Sequence, residues 1–456
     1  MTDKDVFIIG TGTAGQTVAY DLVAEGYDVT IVDKTDRPGG VCAQFGCQAK
    51  KWFYELTETV ARCQHMKGIG ITSSPSFNWA DAREAKDTFT SAVPQNTVTN
   101  LKGNGITYVK AEAFFADADT VIINDTPYRP RYTIIATGAK PMSLPITGNE
   151  HLITSTDFLN LKRLPQRVTF IGGGFISFEF AHFAARLGSS PEDVHIVEVM
   201  DRPLGPFDSD MVAQLLAATQ AEGIQIHVGN AVHSIERNGS EFVVSLESGT
   251  TIDTDLVVHG AGRVPDIDTL NLDAAGIASS RKGIIVNQQM KTSNAKVYAV
   301  GDCAATVQLA RVADYEAHIA AAAVIAQDTN EGPPSLNYRA VPALLFTYPQ
   351  LGMVGKTEDE LIRDGVKYWK SFDTQISWPT YKRIGMKHAA YKILVDDQSK
   401  ILGAHILSDN AAGLINTFKQ AMLDDKNVED LYQDNIMSPY PSRESDIIYM
   451  LDSLRD

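Results

Sequence analysis

Two stretches of the chain repeat one order of apolar and polar positions. Val6–Ile9 is an apolar run that leads into a glycine-rich turn, a helical stretch to about residue 25 and a second strand over Asp28–Val32. The same order returns at Val168–Ile171, followed by a helix to about residue 187 and a strand over Val194–Val197. An apolar strand, a glycine turn, a helix and a second strand are typical of a nucleotide-binding α/β fold. The pattern therefore predicts two separate nucleotide folds.

The first turn reads Gly10-Thr11-Gly12-Thr13-Ala14-Gly15, and the second strand ends at Asp33. Gly10 permits a tight turn, Gly12 lets the backbone approach a pyrophosphate, and Gly15 lets the helix pack closely on the strand. The helix N-terminus attracts phosphate charge, and Asp33 can accept hydrogen bonds from ribose hydroxyls. These parts predict a dinucleotide site, and the alternative is an ordinary glycine-rich turn.

The second turn, Gly172-Gly173-Gly174-Phe175-Ile176-Ser177, departs from the first at its third glycine position. Ser177 is small enough for close packing, but its hydroxyl must find a partner. The following strand ends at Glu198, which suits a ribose 2′-hydroxyl and repels a 2′-phosphate. Arg202 can partly offset that repulsion. The sequence therefore favours NADH and leaves NADPH open.

Two pairs of apolar runs lie between and after the nucleotide folds, and each pair flanks a turn. Thr120–Ile123, a turn around Asn124-Asp125 and Tyr132–Ala136 predict a hairpin that ends in Thr137-Gly138. Phe242–Leu246 and Thr251–Val258 predict another. Both hairpins would return the chain between domains.

The second hairpin runs into Gly262-Arg263, and a later apolar strand over residues 297–300 ends in Gly301-Asp302. An acid directly after a strand can face a bound nucleotide. Asp302 is therefore a candidate ligand for a second part of a bound dinucleotide.

The pattern changes after the linker signal Asn330-Glu331-Gly332-Pro333-Pro334. Tyr391–Val395 and Ile401–Leu407 flank a polar turn and predict an antiparallel hairpin, followed by a helical pattern to about Met422. No nucleotide motif recurs in this part of the sequence. A third domain of α+β type is therefore predicted.

Length and charge limit the possible functions. A chain of 456 residues suggests about three domains. The formal net charge of -16 disfavours nucleic acid and anionic membranes as partners. No run approaches the roughly 18 apolar residues that span a bilayer, so no membrane protein is predicted. The N-terminus passes directly into a strand without an export signal, and the expected location is the cytoplasm.

Of the four cysteines, Cys42 and Cys47 lie close together after the first fold, while Cys63 and Cys303 receive no role. In a reducing compartment such a pair indicates metal binding or redox chemistry, with two structural thiols as the alternative. The stretch from Cys47 to Ala61 is compatible with a helix, so both sulfurs would lie near a helix N-terminus that favours thiolate. A zinc site would need a second Cys or His pair at ligand spacing, which the sequence lacks, so no metal site is predicted.

Taken in order, these segments resemble the FAD-dependent pyridine nucleotide-disulfide oxidoreductases, the family of glutathione reductase, dihydrolipoamide dehydrogenase and mercuric reductase. The family's two glycine loops, Cys-x4-Cys, Ala-Thr-Gly, Gly-Arg-x-Pro and Tyr-Ala-x-Gly-Asp motifs occur in the family's order over nearly the whole chain. The resemblance implies an α/β fold with two Rossmann-like domains, for FAD and for NAD(P), and a C-terminal α+β dimerisation domain. We expect the FAD-binding domain at residues 1–145 and 260–333, the NAD(P)H-binding domain at 146–259 and the dimerisation domain at 334–456.

The resemblance also implies roles for single residues. Cys47 would face the flavin and Cys42 would exchange with the substrate, so that electrons pass from NADH or NADPH through FAD to a small disulfide or related sulfur compound. Lys51 and Glu179 would pair beside the flavin, and Phe175 would cover the flavin until nicotinamide enters. Asp302, after the strand over residues 297–300, would hold the ribityl chain of the flavin. From the residues alone, Phe175 can equally be helix core, and Lys51 and Glu179 can be solvated charges.

The C-terminal motif departs from the family. Disulfide reductases carry His-Pro-Thr and then Glu, whereas this chain reads Tyr440-Pro441-Ser442-Arg443-Glu444-Ser445. Tyr440 replaces the histidine, and Ser445 occupies the expected Glu position. A phenol with a pKa of about 10 is poorly matched to proton transfer at pH 7. We therefore expect a small-molecule acceptor whose departing sulfur is already acidic, with Tyr440 orienting it.

Other readings of the departure stay open. Mercuric reductase resembles the chain in carrying a tyrosine at this position, but the present C-terminus lacks vicinal cysteines. A metal-ion or quinone reductase is therefore one alternative, and a non-catalytic assembly component is another. Because the family's C-terminal segment completes the site of a partner subunit, the resemblance implies a homodimer.

Overall fold

Both glycine turns lie between a parallel strand and a helix in the computed structural model, which describes residues 5–455. The observed elements agree with the predicted bounds to within one residue, apart from the helix starts that the sequence left open: Val6–Ile9, Thr13–Ala24 and Val29–Asp33 in the first fold, and Val168–Ile171, Phe175–Arg186 and Val194–Val197 in the second. The predicted α/β class with two Rossmann-like folds is confirmed.

The described chain divides into two units. The first consists of residues up to Lys51, Glu84–Ser143 and Gly262–Asn337. The second consists of Trp52–Arg83, Leu144–Ala261 and the residues from Tyr338 onward. The boundaries of the three domains proposed from the sequence stay a prediction.

The first unit is built on a parallel sheet of five strands, whose order from edge to edge is Val297–Ala299, Tyr132–Ile135, Val6–Ile9, Val29–Asp33 and Thr107–Lys110. The central strands are apolar throughout because both faces of the sheet are buried. Helices Thr13–Ala24 and Ala310–Thr329 pack against each other. Since all five strands are parallel, the residues that follow them gather at the carboxyl ends of the strands, here called the carboxyl edge of the sheet.

The first unit also contains a short helix, Gly40–Phe45, and small antiparallel sheets formed by Ala113–Phe115, Val121–Ile123 and Thr126–Tyr128, by Ala139–Pro141 and Arg263–Pro265, and by Ser279–Ser280 and Gly283–Ile284. Two longer helices, Cys47–His65 and Trp79–Gly103, each have residues in both units.

Single 3₁₀ turns occur in both units, at Asn149–His151, Pro191–Asp193, Leu272–Ala275, Gly301–Cys303, Glu444–Asp446 and Asp452–Leu454.

The second unit contains the second nucleotide fold, a parallel sheet in the order Gln225–His227, Val194–Val197, Val168–Ile171 and Leu256–His259. Its other elements are an antiparallel sheet of Val232–Asn238, Glu241–Leu246 and Thr251–Thr254, and helices Ser155–Leu159, Phe175–Arg186 and Ser209–Ala221.

The C-terminal part of the second unit is the predicted α+β segment. Its antiparallel sheet has the order Ala343–Leu345, Gln350–Gly355, Ile401–Ser408, Ala390–Val395 and Trp369–Asp373. The predicted hairpin is formed by Ala390–Val395 and Ile401–Ser408 and is confirmed. The helices are Glu358–Arg363, Pro379–Lys382, Ala411–Leu423, Val428–Ile436 and Ile447–Leu451.

The first hairpin expected from the sequence is wrong. Val121–Ile123 pairs with Thr126–Tyr128, whereas Tyr132–Ile135 joins the parallel sheet. Asn124 and Asp125 have φ of 47° and 60°, the left-handed conformation that a two-residue hairpin turn requires. The turn therefore closes on the nearest strand and frees the next apolar run for the sheet.

The second expected hairpin is confirmed in part. Glu241–Leu246 pairs antiparallel with Thr251–Thr254. The apolar run then breaks at Asp255, and Leu256–His259 joins the parallel sheet beside Val168–Ile171. One apolar run of the sequence thus supplies two strands of different sheets.

Within residues 5–455, no helix is both long and apolar enough to cross a membrane.

Candidate active site

The first glycine loop begins at Gly10, directly after the central strand of the first unit. Gly10 has a φ of +111°, and a Cβ there would lie 2.3 Å from the carbonyl oxygen of Ala136. A Cβ on Gly15 would lie 2.1 Å from the oxygen of Gly10. Helix Thr13–Ala24 starts after Gly12, and within the described chain no side chain caps its N-terminus. Its first N–H groups therefore remain available to an anion, which fits the pyrophosphate of FAD.

Asp33 links this loop to the segment that carries the cysteines. One of its oxygens accepts the N–H of Thr11 at 3.0 Å and also contacts the Thr11 hydroxyl, while the other accepts the N–H of Thr35 at 2.9 Å. The Thr11 hydroxyl in turn accepts the N–H of Gly39 at 2.9 Å. Thr11 was missed by the sequence reasoning, because the x positions of a glycine motif carry no signal of their own.

Two glycines bring the cysteine segment against the first glycine loop. Gly39 and Gly40 have φ of +117° and +78°. A Cβ on Gly40 would lie 2.5 Å from the Cα of Gly12, so the two backbones pass each other without room for a side chain. The cysteine segment is therefore held beside the loop that fits the pyrophosphate.

The two cysteines occupy consecutive helices. Cys42 lies in Gly40–Phe45, and Cys47 is the first residue of Cys47–His65. Both sulfurs lie near a helix N-terminus, as expected: Cys42 is the third residue of its short helix, and Cys47 begins the longer one after a break at Gly46, which has φ −125° and ψ −124°. Only Cys47 lies at the N-terminus of the longer helix, where the dipole favours thiolate.

The thiols of Cys42 and Cys47 contact each other. Their side-chain hydrogen bond is the largest cause that raises the pKa of Cys42, followed by burial and by the charge of Cys47. Cys42 therefore holds its proton more firmly than a free thiol does. Cys47 is exposed and Cys42 is half-buried, so the pair is accessible to a reactant. A thiol and a thiolate in contact are the reduced form of a two-electron couple.

Lys51 and Glu179 belong to different units, and each is shielded from water. Lys51 lies one helical turn after Cys47, and its Nζ is buried. Glu179 is 1% exposed, and its Oε1 accepts the N–H of Phe346 at 3.0 Å. Their pairing beside a flavin stays a prediction. The solvated charges that the sequence left open are contradicted for both side chains, because neither polar end reaches solvent.

Thr137-Gly138 and Gly301-Asp302 follow two strands of the sheet that also carries the first glycine loop. Parallel strands bring these residues to the same edge as Gly10. The N–H of Gly301 donates to Glu316 at 2.8 Å. Glu316 is fully buried in helix Ala310–Thr329 and was missed by the sequence reasoning, although an acid in an alanine-rich helix was the available signal.

Gly262 and Arg263 lie at the same edge. The Arg263 guanidinium donates to the carbonyl oxygen of Ala139. Burial lowers the pKa of Arg263, and the negative charge of Asp302 opposes this effect. Burial also raises the pKa of Asp302, against the charge of Arg263. The two charges therefore stabilise each other, and the Asp302 carboxyl group suits a hydroxyl donor such as the ribityl chain.

The second glycine loop begins at Gly172, which has a φ of +100°. A Cβ there would lie 2.3 Å from the Cα of Ala261. Helix Phe175–Arg186 follows Gly174, and no side chain of the described residues caps its N-terminus. Phe175 itself is 52% exposed, so it is not helix core. The loop fits a second pyrophosphate by the same geometry as the first.

Ser177 does not find the hydrogen-bond partner expected for it. Its hydroxyl is buried and has no partner among residues 5–455. The space for the side chain comes from Gly260, where a Cβ would lie 2.0 Å from the Ser177 oxygen. Gly260 was missed by the sequence reasoning, because its need for glycine depends on a residue 83 positions earlier in the sequence.

Glu198 closes the second loop. Its carboxylate accepts the N–H of Gly173 and, at 2.7 Å, the N–H of Met200. Arg202 donates to the carbonyl oxygens of Phe207 at 2.7 Å and Gly205 at 3.1 Å. The guanidinium is therefore held within its own loop, and its effect on the repulsion of a 2′-phosphate stays a prediction.

The C-terminal segment, residues 440–446, is anchored to its own unit by its acids. Glu444 accepts from the side-chain amide of Asn410 at 2.7 Å, and Asp446 accepts from the Thr380 hydroxyl. Asp446 is 2% exposed, and burial raises its pKa. Tyr440 is 78% exposed. Neither acid beside Ser445 is therefore available as the proton shuttle that the family motif would supply, and the sequence contains no histidine after His405.

Among the described residues, no group of three or more His, Cys, Asp or Glu side chains is arranged to hold a metal ion.

Comparison with known families gives two matches that together cover most of the chain. The pyridine nucleotide-disulphide oxidoreductase model matches residues 4–317. The dimerisation domain of the same family matches residues 341–446. The order of the two matches is the order of the nucleotide folds and the α+β segment.

Characterised proteins are similar over nearly the same length. The dihydrolipoyl dehydrogenase of Bacillus subtilis (strain 168) is 30% identical over 375 residues, which cover 80% of this chain and 78% of that protein. The mercuric reductase of Staphylococcus aureus is 29% identical over 441 residues, 94% of this chain and 79% of that protein. Among solved structures, the HOCl-induced flavoprotein disulfide reductase RclA from Escherichia coli has a TM-score of 0.87 at 24% identity, covering 99% of this chain and 100% of that one.

Proposed function

The chain belongs to the pyridine nucleotide-disulphide oxidoreductases, and from that premise we propose that it passes two electrons from NADH, by way of bound FAD and the Cys42–Cys47 pair, to a small disulfide. Bound FAD supplies the two-electron relay between nicotinamide and thiols. The observation that carries the proposal is the contact between the thiols, a hydrogen bond that raises the pKa of Cys42. Such a pair is the reduced form of an exchange couple.

Cys42 is the thiol that attacks the acceptor. Its proton can pass to Cys47 along their hydrogen bond, which makes Cys42 the nucleophile. Attack breaks the S–S bond of the acceptor, releases one thiol and leaves a mixed disulfide on Cys42. Cys47 then attacks the Cys42 sulfur of this mixed disulfide, which releases the second acceptor thiol and closes the Cys42–Cys47 disulfide. One released thiol takes its proton from the pair and the other from solvent, and the hydride of NADH returns two electrons and one proton.

We assign FAD to the edge of the first sheet. The first glycine loop would hold the pyrophosphate, Asp33 the ribose, and Asp302 the ribityl chain. The absence of room for side chains at Gly10 and Gly15 supports this assignment, because it shows the tight turn and the close packing of helix on strand that the dinucleotide motif requires. Thr137, Gly138, Gly262, Arg263 and Gly301 would complete the edge around the flavin.

Lys51 and Glu179 are assigned as the charged pair beside the flavin. A shielded ammonium group is stable only next to an anion, and both charged ends are shielded from water. The bond from the Phe346 N–H fixes the Glu179 carboxylate. Phe175, exposed at the start of its helix, would cover the flavin until nicotinamide enters.

NADH is the favoured electron donor. Glu198 keeps its carboxylate on the second glycine loop, where it can accept from a ribose 2′-hydroxyl and repels a 2′-phosphate. Arg202 is bonded to carbonyl oxygens of its own loop and so does not provide a phosphate ligand. NADPH would meet a negative charge without a compensating cation from Arg202.

The acceptor is a small compound whose departing sulfur is already acidic. Tyr440 would orient it through its hydroxyl, since a phenol is a poor proton donor at pH 7. Glu444 and Asp446 are held by Asn410 and Thr380 and do not replace an imidazole. The family's dimerisation domain supports a homodimer in which Tyr440, which is 78% exposed, reaches the cysteines of the partner subunit.

A soft metal ion is the second candidate acceptor. The mercuric reductase of Staphylococcus aureus is a relative of this chain, and two thiolates bind soft metal ions without needing a proton donor. The absence of a histidine imidazole would then not slow turnover, because no leaving thiol has to be protonated. The two candidates differ in whether turnover releases thiols.

Anaerobic titration of the purified protein tests the central proposal. With FAD bound, wild type should consume about two equivalents of NADH per FAD, one for the flavin and one for the disulfide, and Cys42→Ser should consume about one. Wild type that takes up a single equivalent would overturn the role of the pair. Turnover with oxidised glutathione, lipoamide, coenzyme A disulfide, an aromatic disulfide, Hg(II), Cu(II) and quinones then identifies the acceptor class. No turnover with any of them would favour a non-catalytic role.

A further inference from the structure

Arg443 fastens the segment that carries Tyr440. Three residues after the tyrosine, its Nε donates to Asp409 at 2.7 Å, and its guanidinium lies 3.9 Å from the centre of the Tyr381 ring. Arg443 is 9% exposed and Asp409 is 8% exposed, whereas Tyr440 is 78% exposed. The phenol therefore has little packing of its own, and its position depends on the neighbours that hold the backbone.

We infer that Arg443 is a positioning residue for acceptor reduction, which acts by holding the Tyr440 phenol where it meets the acceptor. The inference rests on the proposed role of Tyr440. Arg443 itself touches no reacting group: its guanidinium is committed to the Asp409 carboxylate and the Tyr381 ring.

Asp409 also connects this anchor to the helix that begins at Cys47. Arg62 of that helix lies 3.5 Å from Asp409 and 2.7 Å from Glu58. Alternating charges therefore run from Glu58 through Arg62 and Asp409 to Arg443. Removing Arg443 would leave the buried Asp409 with the longer contact to Arg62 and a hydrogen bond from the Ser408 hydroxyl at 3.3 Å, and the loss of the charged partner at 2.7 Å from a buried carboxylate is costly.

The other contacts of the segment cannot replace this anchor. Ser442 bonds to Ser445, and these bonds lie within the segment and do not tie it to the sheet or helices around it. Glu444 and Asp446 hold the chain after Arg443, through Asn410 and Thr380, and so lie farther from Tyr440. Arginine suits the position better than lysine, because its planar group can stack on an aromatic ring while it donates to a carboxylate. A lysine would keep the charge but lose the stacked geometry.

Non-additivity with Tyr440 is the decisive test. Arg443→Met, Tyr440→Phe and the double variant are compared with wild type as dimeric, FAD-loaded proteins, using an aromatic disulfide as acceptor. Arg443→Met should lower kcat/KM for the acceptor about tenfold in the tyrosine background and less than about twofold in the phenylalanine background. Arg443→Lys should recover part of the loss. Flavin reduction by NADH, followed by stopped flow, should stay within about twofold of wild type in every variant.

Arg455→Met is the matched control. Arg455 makes the same kinds of contact elsewhere in the second unit: its Nε donates to Glu429 at 2.9 Å, and its guanidinium lies 3.6 Å from the centre of the Tyr432 ring. Its removal should leave acceptor turnover unchanged. If Arg443→Met does not fold, Asp409→Asn removes the charge partner with less change of shape and enters the same cycle.

The outcomes separate this inference from the proposed function. Equal loss from Arg443→Met in both backgrounds would mean a structural role without action through Tyr440, and the inference would be wrong while the role of Tyr440 stands. A wild-type rate for Tyr440→Phe would remove the proposed role of the phenol and the inference with it.

Discussion

In the first glycine loop the helix meets the sheet at Gly15 and Ala136, and in the second it meets the sheet at Ser177 and Gly260. A Cβ on Gly15 would lie 3.3 Å from the Ala136 Cβ, and a Cβ on Gly260 would lie 3.2 Å from the Ser177 Cβ. The contact is the same in both folds, but its one side chain belongs to the sheet residue (Ala136) in the first fold and to the helix residue (Ser177) in the second. A departure from the glycine motif is therefore tolerated when the facing residue gives up its own side chain.

The acid that follows each loop, Asp33 or Glu198, accepts a backbone N–H from its own loop, but the residue that donates it differs. In each loop the residue after the first glycine donates its N–H to the acid at the end of the second strand: Thr11 to Asp33, and Gly173 to Glu198. Thr11 adds a hydroxyl that reaches the cysteine segment. Gly173 cannot add a side chain, because a Cβ there would lie 2.7 Å from the Glu198 carboxylate. The first loop is thus bonded to the cysteine segment through a side chain that the second loop lacks at the equivalent position.

The largest expected effect comes from alanine at the first glycine of each loop. Gly10→Ala should yield protein without FAD, and Gly172→Ala should keep FAD but be reduced by NADH at least about 100-fold more slowly. Both glycines have positive φ, and both Cβ atoms would lie 2.3 Å from backbone atoms. Flavin absorbance per protein and anaerobic stopped flow measure the two outcomes. Gly205→Ala, where a Cβ meets open space, is the control.

Loss of FAD from Gly172→Ala would show that the two loops are not independent, and the comparison between them would fail.

Exchange of the side chain between helix and sheet sharpens the comparison. Gly260→Ala should destabilise the fold by about 1–3 kcal/mol, because its Cβ would lie 2.0 Å from the Ser177 oxygen. The double change with Ser177→Gly copies the glycine–alanine pair of the first loop and should recover most of that loss. Urea unfolding of the single and double variants gives the two free energies. Equal stability of both would contradict the exchange.

Removal of the charge of Glu198 tests the choice between nicotinamides. Glu198→Gln should lower the ratio of kcat/KM for NADH over NADPH about tenfold, because the repulsion of a 2′-phosphate disappears while one oxygen can still accept from the loop. Steady-state kinetics with both donors measures the ratio. Asp201→Asn removes a nearby charge as the control. A ratio that Glu198→Gln leaves unchanged argues against this specificity.

The smallest expected effect concerns the hydroxyl of Ser177. It is buried without a partner among the described residues, so Ser177→Ala should be neutral or should stabilise the protein by up to about 1 kcal/mol. Urea unfolding measures the change, with Ser189→Ala as the contrast, since that hydroxyl donates to Pro165 at 2.7 Å and its loss should destabilise. Destabilisation by Ser177→Ala would mean that the hydroxyl has an interaction that the fold requires.

The strands of both nucleotide folds could be predicted nearly to the residue because local signals define them. Val6–Ile9 and Val168–Ile171 are apolar runs that end at a glycine with positive φ, so composition and turn chemistry agree. The run from Tyr132 was assigned to the wrong sheet. Its apolar pattern fits an antiparallel or a parallel strand equally well, and only the turn at Asn124 and Asp125 decided the pairing.

Candidate site residues divide in the same way. Cys42 and Cys47 could be predicted from spacing, but their contact across the break at Gly46 could be seen only in the structure. The fate of the acids at the C-terminus could not be predicted, because Glu444 and Asp446 are held by residues at least about 30 positions away in the sequence.

The sequence by itself determined the two nucleotide folds, the cysteine pair and the loss of the C-terminal imidazole, because each depends on residue type and spacing along a short stretch. The tertiary structure alone decided that Gly260 makes room for Ser177, that Thr11 joins the first loop to the cysteine segment, and that Arg443 anchors the tyrosine segment. These contacts join residues distant in sequence, and their energies depend on separations of a few ångströms that no local pattern encodes.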